Sequence, residues 1–244
     1  MQEKTDLSKV KDVAEMLLMT DVCETSYSPV VVQHPFTSSG MVGVRTGEEL
    51  KVLDITENPE NLRLWREQMR SLIDQADNAY NLYLLVNKPY GLTFLKLSEP
   101  YLSRNDLSKI LSSAWIMSEN PNSDVNLSNR RLVSLFRSAD PSVLMDEDER
   151  QTLADLDPTV TVYRGVTAYN ADKVRALSWT LEYDTAKWFA TRFGEQGTVY
   201  KAQVYKERIL ALFKRRNEAE VIIDPKDLMN IEQRATLGMD MKMI

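Results

Sequence analysis

With a single cysteine, Cys23, and a single histidine, His34, in 244 residues, several kinds of chemistry are closed to this chain. One thiol forms no intramolecular disulfide, and a thiolate metal cluster is excluded. The cysteine usage points to a reducing compartment, so a cytoplasmic location is expected, with signal-less secretion or delivery as an effector left open. Cys23 itself reads as a buried free thiol rather than a nucleophile. A Ser-His-Asp or Cys-His site, or a His-rich zinc site, would have to use His34. That residue lies in Val30-Val31-Val32-Gln33-His34-Pro35-Phe36, which reads as a strand end, so a structural histidine is expected and no metal. No stretch is long and apolar enough to span a bilayer. Met1 to Asp6 lacks the basic start and apolar run of a secretion leader. Positive charge is also short: the formal net charge of -6 disfavours general affinity for nucleic acid or anionic membrane. Lys214-Arg215-Arg216 is a local basic run and reads as a solvated turn.

Hydrophobic residues make up 43% of the chain and charged residues 27%, a balance that predicts a packed core. The pattern is that of an α+β protein. Residues 6–19 carry apolar positions at helical spacing, and short strands are expected over 30–36, 41–44 and 51–55. Asn58-Pro59 is a helix start, followed by the stripe Leu62, Trp65, Met69, Leu72 and Ile73. Residues 80–86 and 92–97 read as two strands of a hairpin around Asn87-Lys88-Pro89-Tyr90-Gly91. Ser98-Glu99-Pro100 is the expected boundary between an N-terminal α+β domain, 1–98, and a second domain, 99–244. Ser103 caps a helix whose core face is Leu107, Ile110, Leu111 and Ala114, and helices are expected over 131–137 and 146–156. Asp184 is a cap for a helix with Ala186, Phe189, Ala190 and Phe193 on one face. Strands over 198–204, 208–213 and 218–223 follow, with a fourth at 228–231.

Three short segments carry the functional signal. Residues 159–166, Thr-Val-Thr-Val-Tyr-Arg-Gly-Val, alternate as a strand and end in Arg164-Gly165. Leu177-Ser178-Trp179-Thr180 follows, with Trp179 expected in the core. Asn217-Glu218-Ala219-Glu220-Val221-Ile222-Ile223 reads as a strand in which Glu218 and Glu220 share one face, with Ala219, Val221 and Ile223 on the other. Paired carboxylates repel, which suits a site that handles developing positive charge better than a purely structural strand.

Arg, then Ser-x-Thr, then Glu-x-Glu resembles, in order and spacing, the arginine–serine–glutamate class of mono-ADP-ribosyltransferases, over roughly residues 104–244. The resemblance implies an ADP-ribosyltransferase-like mixed β core with helices before it. It implies NAD as substrate, with a protein acceptor modified through an arginine. Arg164 would grip phosphate through two parallel hydrogen bonds, with Gly165 beside it. Glu220 would stabilise the oxocarbenium-like transition state, Glu218 would orient the acceptor, and Ser178 would orient Glu220. Thr180 stands where the fullest pattern has a serine and counts among the cofactor contacts. Arg192 to Gly197 lies where the family has a loop touching phosphate and nicotinamide, which makes Arg192 a second phosphate contact or a cation at a helix end. Phe213 reads as an aromatic offered to the target or as a buried strand residue. NAD glycohydrolysis and a catalytically inert binding module are the alternative functions.

Overall fold

Asn58 starts a helix as its position before Pro59 predicts: its side chain accepts from the Asn61 amide, and Trp65, Met69 and Ile73 bury one stripe. The computed structural model describes residues 2–194 and 197–234. Contacts divide the chain into two units, Met1–Leu127 and Ser128–Ile244.

The first unit opens with α1 (Leu7–Leu18), capped by the Asp6 side chain and burying Val10, Val13, Ala14, Leu17 and Leu18. A small antiparallel sheet follows, β1 (Cys23–Glu24), β2 (Val31–His34) and β3 (Thr37–Ser39), and then the hairpin β4 (Met41–Thr46) and β5 (Glu49–Asp54). The rest is helical: α2 (Pro59–Gln75), α3 (Ala79–Leu85), α4 (Gly91–Ser98) and α5 (Arg104–Met117). His34 is buried and Cys23 exposed, so the expected buried thiol is corrected. The sequence-based hairpin over 80–97 is also corrected to two helices. Ala79, Leu82 and Tyr83 fall at helical spacing and are buried, and Asn78 caps them through the Asn81 amide. The aromatic and aliphatic content of that stretch resembles a strand, but its burial period is that of a helix.

Ser98-Glu99-Pro100 does not separate the units. It forms part of a short 3-10 turn between α4 and α5. Ser103 caps α5 as expected, and Leu107, Ile110, Leu111, Ala114 and Trp115 are buried against the helices of the first unit. The division falls at Leu127/Ser128, in the polar stretch after α5.

The second unit begins with α6 (Asn129–Ser138), α7 (Pro141–Leu144) and α8 (Glu147–Asp155), the last closed by a capping box between Asp146 and Glu149. It continues with β6 (Thr159–Val166), β7 (Ser178–Thr180), α9 (Tyr183–Thr191), β8 (Thr198–Tyr205), β9 (Ile209–Phe213), β10 (Glu220–Ile223) and β11 (Met229–Arg234). Six strands form one sheet in the order β11-β8-β6-β7-β10-β9. Among the described residues every strand pairing of this sheet is antiparallel, where a mixed sheet was expected. Asp184 lies in the first turn of α9 and Glu182 takes the cap position, a shift of the expected start.

Gly165 is fixed by packing. A Cβ at that position would lie 2.0 Å from the Ala186 carbonyl oxygen and 2.6 Å from the Ala190 amide nitrogen of α9. Gly197 meets the same helix, with the Ala190 and Val166 carbonyl oxygens both 2.2 Å from a built Cβ. The two glycines let α9 lie directly on β6 and β8, over Ala186, Ala190 and Val199. Among the described residues no helix is long and apolar enough to cross a membrane.

Candidate functional site

The short strand β7 lies between β6 and β10, and this position joins the sequence-distant candidates. Thr180 pairs with Tyr163 on one side and with Glu220 on the other, and Ser178 pairs with Ile222. Ser178 makes the link with both of its oxygens. Its carbonyl accepts from Arg164 Nη1 at 2.6 Å, and its hydroxyl donates to Glu220 Oε1 at 2.5 Å. Tyr163 and Gly165 face α9, Tyr163 through an edge contact with Tyr183 at 5.6 Å.

Glu220 opens β10 and is 5% exposed. Val221, Ile222 and Ile223 behind it are fully buried. Each contributes about 1.5–3 kcal/mol by burial, which anchors the strand that carries the carboxylate. Burial pushes the Arg164 pKa down to about 10, partly offset by Glu220 and reinforced by Arg192. The group stays cationic at neutral pH. Its Nε is buried with no hydrogen-bond partner among the described residues, an orphaned donor suited to an anionic oxygen. Arg192 caps the C-terminus of α9 and stacks over the Phe189 ring at 5.1 Å, and its charge adds to the lowering of the Arg164 pKa. Glu195 and Gln196 of the expected phosphate loop lie outside the described residues.

The two glutamates do not share a strand, and the expected pairing is corrected. Ala219 has φ 42° and Asn217 φ 54°, so the backbone before Glu220 is left-handed and the strand starts only there. A residue at positive φ breaks the two-residue alternation on which the sequence argument depended. Ala219 is partly exposed rather than core. Glu218 lies in the turn, where its carboxylate accepts from Arg216 Nη2 at 3.0 Å and its carbonyl accepts from Thr180 Oγ1 at 2.6 Å. Thr180, expected among the cofactor contacts, holds that turn and also accepts from the Glu182 amide at 3.1 Å.

Trp179 is buried, with its Nε1 donating to the Ala176 carbonyl at 3.0 Å. Phe213 is buried against Phe136 at 6.4 Å between ring centres, which leaves the strand reading and removes the displayed aromatic. Lys214-Arg215-Arg216 is a turn, and it is also an ion-paired one. Lys214 Nζ meets Asp148 at 2.7 Å, and Arg215 meets Glu149 at 3.4 Å.

Glu149 is the residue that sequence reasoning missed. Its side chain is wholly buried, accepting from the Asp146 amide at 2.9 Å and the Lys214 amide at 2.9 Å. It thereby ties the start of α8 to the turn that leads into Glu218 and Glu220. Asp146-x-x-Glu149 is a capping-box pattern, and that signal was available in the sequence.

The arrangement is a buried cation and a buried carboxylate joined through one serine. Burying such ions costs several kcal/mol each unless partners compensate. Charges kept in this state suit an anionic ligand at Arg164 and a developing cation at Glu220. Comparison with protein-family models, curated proteins and solved structures gives no match, so the site stands on its own geometry.

Proposed function

We propose that the second unit is an NAD-dependent mono-ADP-ribosyltransferase acting on an arginine side chain of a protein. The observation that carries this reading is the link Arg164–Ser178–Glu220, which unites the three motif residues across β6, β7 and β10. NAD supplies a glycosidic bond whose cleavage builds positive charge on the ribose and releases nicotinamide with the bonding electron pair. Arg164 holds a phosphate of NAD, its planar fork gripping two oxygens at once. Glu220 sets a fixed negative charge against the developing cation, and Ser178 fixes the orientation of that carboxylate. Glu218 orients the incoming guanidinium and takes up its proton. Glu218 already accepts from one guanidinium, that of Arg216, so the acceptor arginine displaces Arg216 from this position.

Calorimetry with NAD tests the cation. Arg164→Ala is expected to weaken affinity about tenfold or more, one charge-assisted hydrogen bond being worth about 1.5–3 kcal/mol. Arg164→Lys is expected to restore little, because a point charge lacks the bidentate geometry. Equal NAD affinity for wild type and Arg164→Ala sinks the assignment. Labelled NAD incubated with the protein and candidate extracts then separates transfer from hydrolysis: label on arginine supports transfer, and free ADP-ribose alone makes the protein a glycohydrolase.

A further inference from the structure

The second unit holds another concentration of charge that shares no residue with Arg164, Ser178 and Glu220. A cavity of about 990 Å³ lies against α6 and the segment just past β10. Arg130, Arg131 and Arg137 reach it from α6, Arg175 from the segment before β7, and Lys226 from beyond β10. Asp224 is the one carboxylate among these lining residues, against five cations. It is already matched, accepting from Arg137 Nη2 at 2.8 Å. Arg175 is held at the wall by donating to the Pro225 carbonyl at 2.9 Å. Arg130 and Lys226 are exposed and add positive charge to the cavity.

This is not a sample of a generally basic surface, since the whole chain carries a formal charge of -6. Like charges gathered in one concavity repel and focus an attractive field on anions. Ser128 caps α6 at the same place, so the first amides of that helix add partial positive charge. The volume lies at the upper end of small-molecule sites, about 300–1,000 Å³, and far exceeds the needs of a single phosphate. Val133 and Pro225 add an apolar wall. A nucleic-acid strand needs a cationic track with stacking aromatics. The lining is one concavity and contains no aromatic residue. Asp224 lies four residues beyond Glu220, roughly 13 Å at extended rise, so the cavity sits at the opposite end of β10 from the catalytic carboxylate.

We propose that this cavity binds a compact oligophosphate, free or carried by a nucleoside, in addition to the site at Arg164 and independently of the function read there. The test is calorimetry of the full chain with sodium tripolyphosphate and with ATP, repeated at two salt concentrations. The expected result is binding of one ligand per chain that weakens with salt. The double variant Arg130→Glu, Lys226→Glu should lower affinity tenfold or more, while Arg164→Ala leaves it unchanged. Circular dichroism checks the fold. The milder pair Arg130→Gln, Lys226→Gln should shift affinity in the same direction. Tighter binding of ATP than of tripolyphosphate assigns the nucleoside-borne form, and the reverse assigns the free form. Three results overturn the proposal: no binding of either compound, binding lost in Arg164→Ala but kept in the double variant, or a single-stranded oligonucleotide bound more tightly than ATP. NAD affinity measured on the same double variant reports separately on the transferase reading, which predicts no change.

Discussion

The two units bury titratable groups of different kinds. In Met1–Leu127, His34 is buried and neutral. Its Nδ1 accepts from the Phe36 amide at 3.1 Å, which leaves the proton on Nε2 facing the Leu18 carbonyl at 3.3 Å. Trp65 covers it edge-on at 5.0 Å. Both nitrogens are bonded within the fold, and burial pushes the pKa down to about 4. In Ser128–Ile244 the buried titratable side chains are carboxylates, and Glu149 and Glu220 represent two kinds. Glu149 is surrounded by amides and an arginine that belong to the fold. Glu220 faces a serine, with Arg164 near enough to be felt and carrying an orphaned Nε. The difference teaches how to tell a strut from a site. Glu149 is satisfied from within as a strut, whereas Arg164, whose charge is felt at Glu220, keeps an Nε donor that the fold leaves unused.

The strongest way to break this comparison is Glu220→Gln, which keeps shape and removes charge. NAD cleavage and transfer are expected to fall about 10²–10³-fold, with NAD affinity changing far less. Wild-type turnover by this variant would make Glu220 a strut like Glu149. Next in size is Gly165→Ala. The added Cβ meets backbone of α9 at 2.0 Å, so the helix must shift, and a loss of about 3 kcal/mol is expected in denaturant unfolding. An unchanged midpoint would show that α9 does not rest on β6 as described.

The histidine tests the other unit. Its pKa is about 4 folded against 6.5 in the unfolded chain, so the unfolded chain binds more protons between those values. Stability therefore falls as pH drops through that window, by about 2 kcal/mol from this group at pH 5 relative to pH 7. His34→Gln should be less stable at pH 7 yet show a flatter pH profile, measured by urea unfolding at both pH values. An identical profile removes the role given to His34. The smallest effect is expected at Glu218. Glu218→Gln should reduce transfer to arginine about tenfold while cleavage with water as acceptor is largely kept, both measured on one preparation. Equal losses would assign Glu218 to holding the turn.

The sequence by itself determined the elements whose rules are local. Asn58 and Ser103 cap helices where capping chemistry requires it, and the alternation of residues 159–166 gives the strand that carries Arg164. The order Arg164, Ser178, Glu220 was legible because each lies at or beside a strand with its own short pattern. The tertiary structure alone decided what depends on distant partners. Residues 80–97 form helices because their burial period meets other helices, although their composition resembles strands. Glu218 left the strand because left-handed backbone at Asn217 and Ala219 ended the alternation, and neither position is a glycine that would have announced it. Gly165 was expected only as the neighbour of Arg164 at the phosphate, and the place of α9 shows that helix packing demands a glycine there. The cations of the cavity against α6 lie on three separate segments, and none of those segments signals alone. Local propensity acts over a few residues, whereas burial, pairing and charge density are properties of neighbours that the chain brings together only by folding.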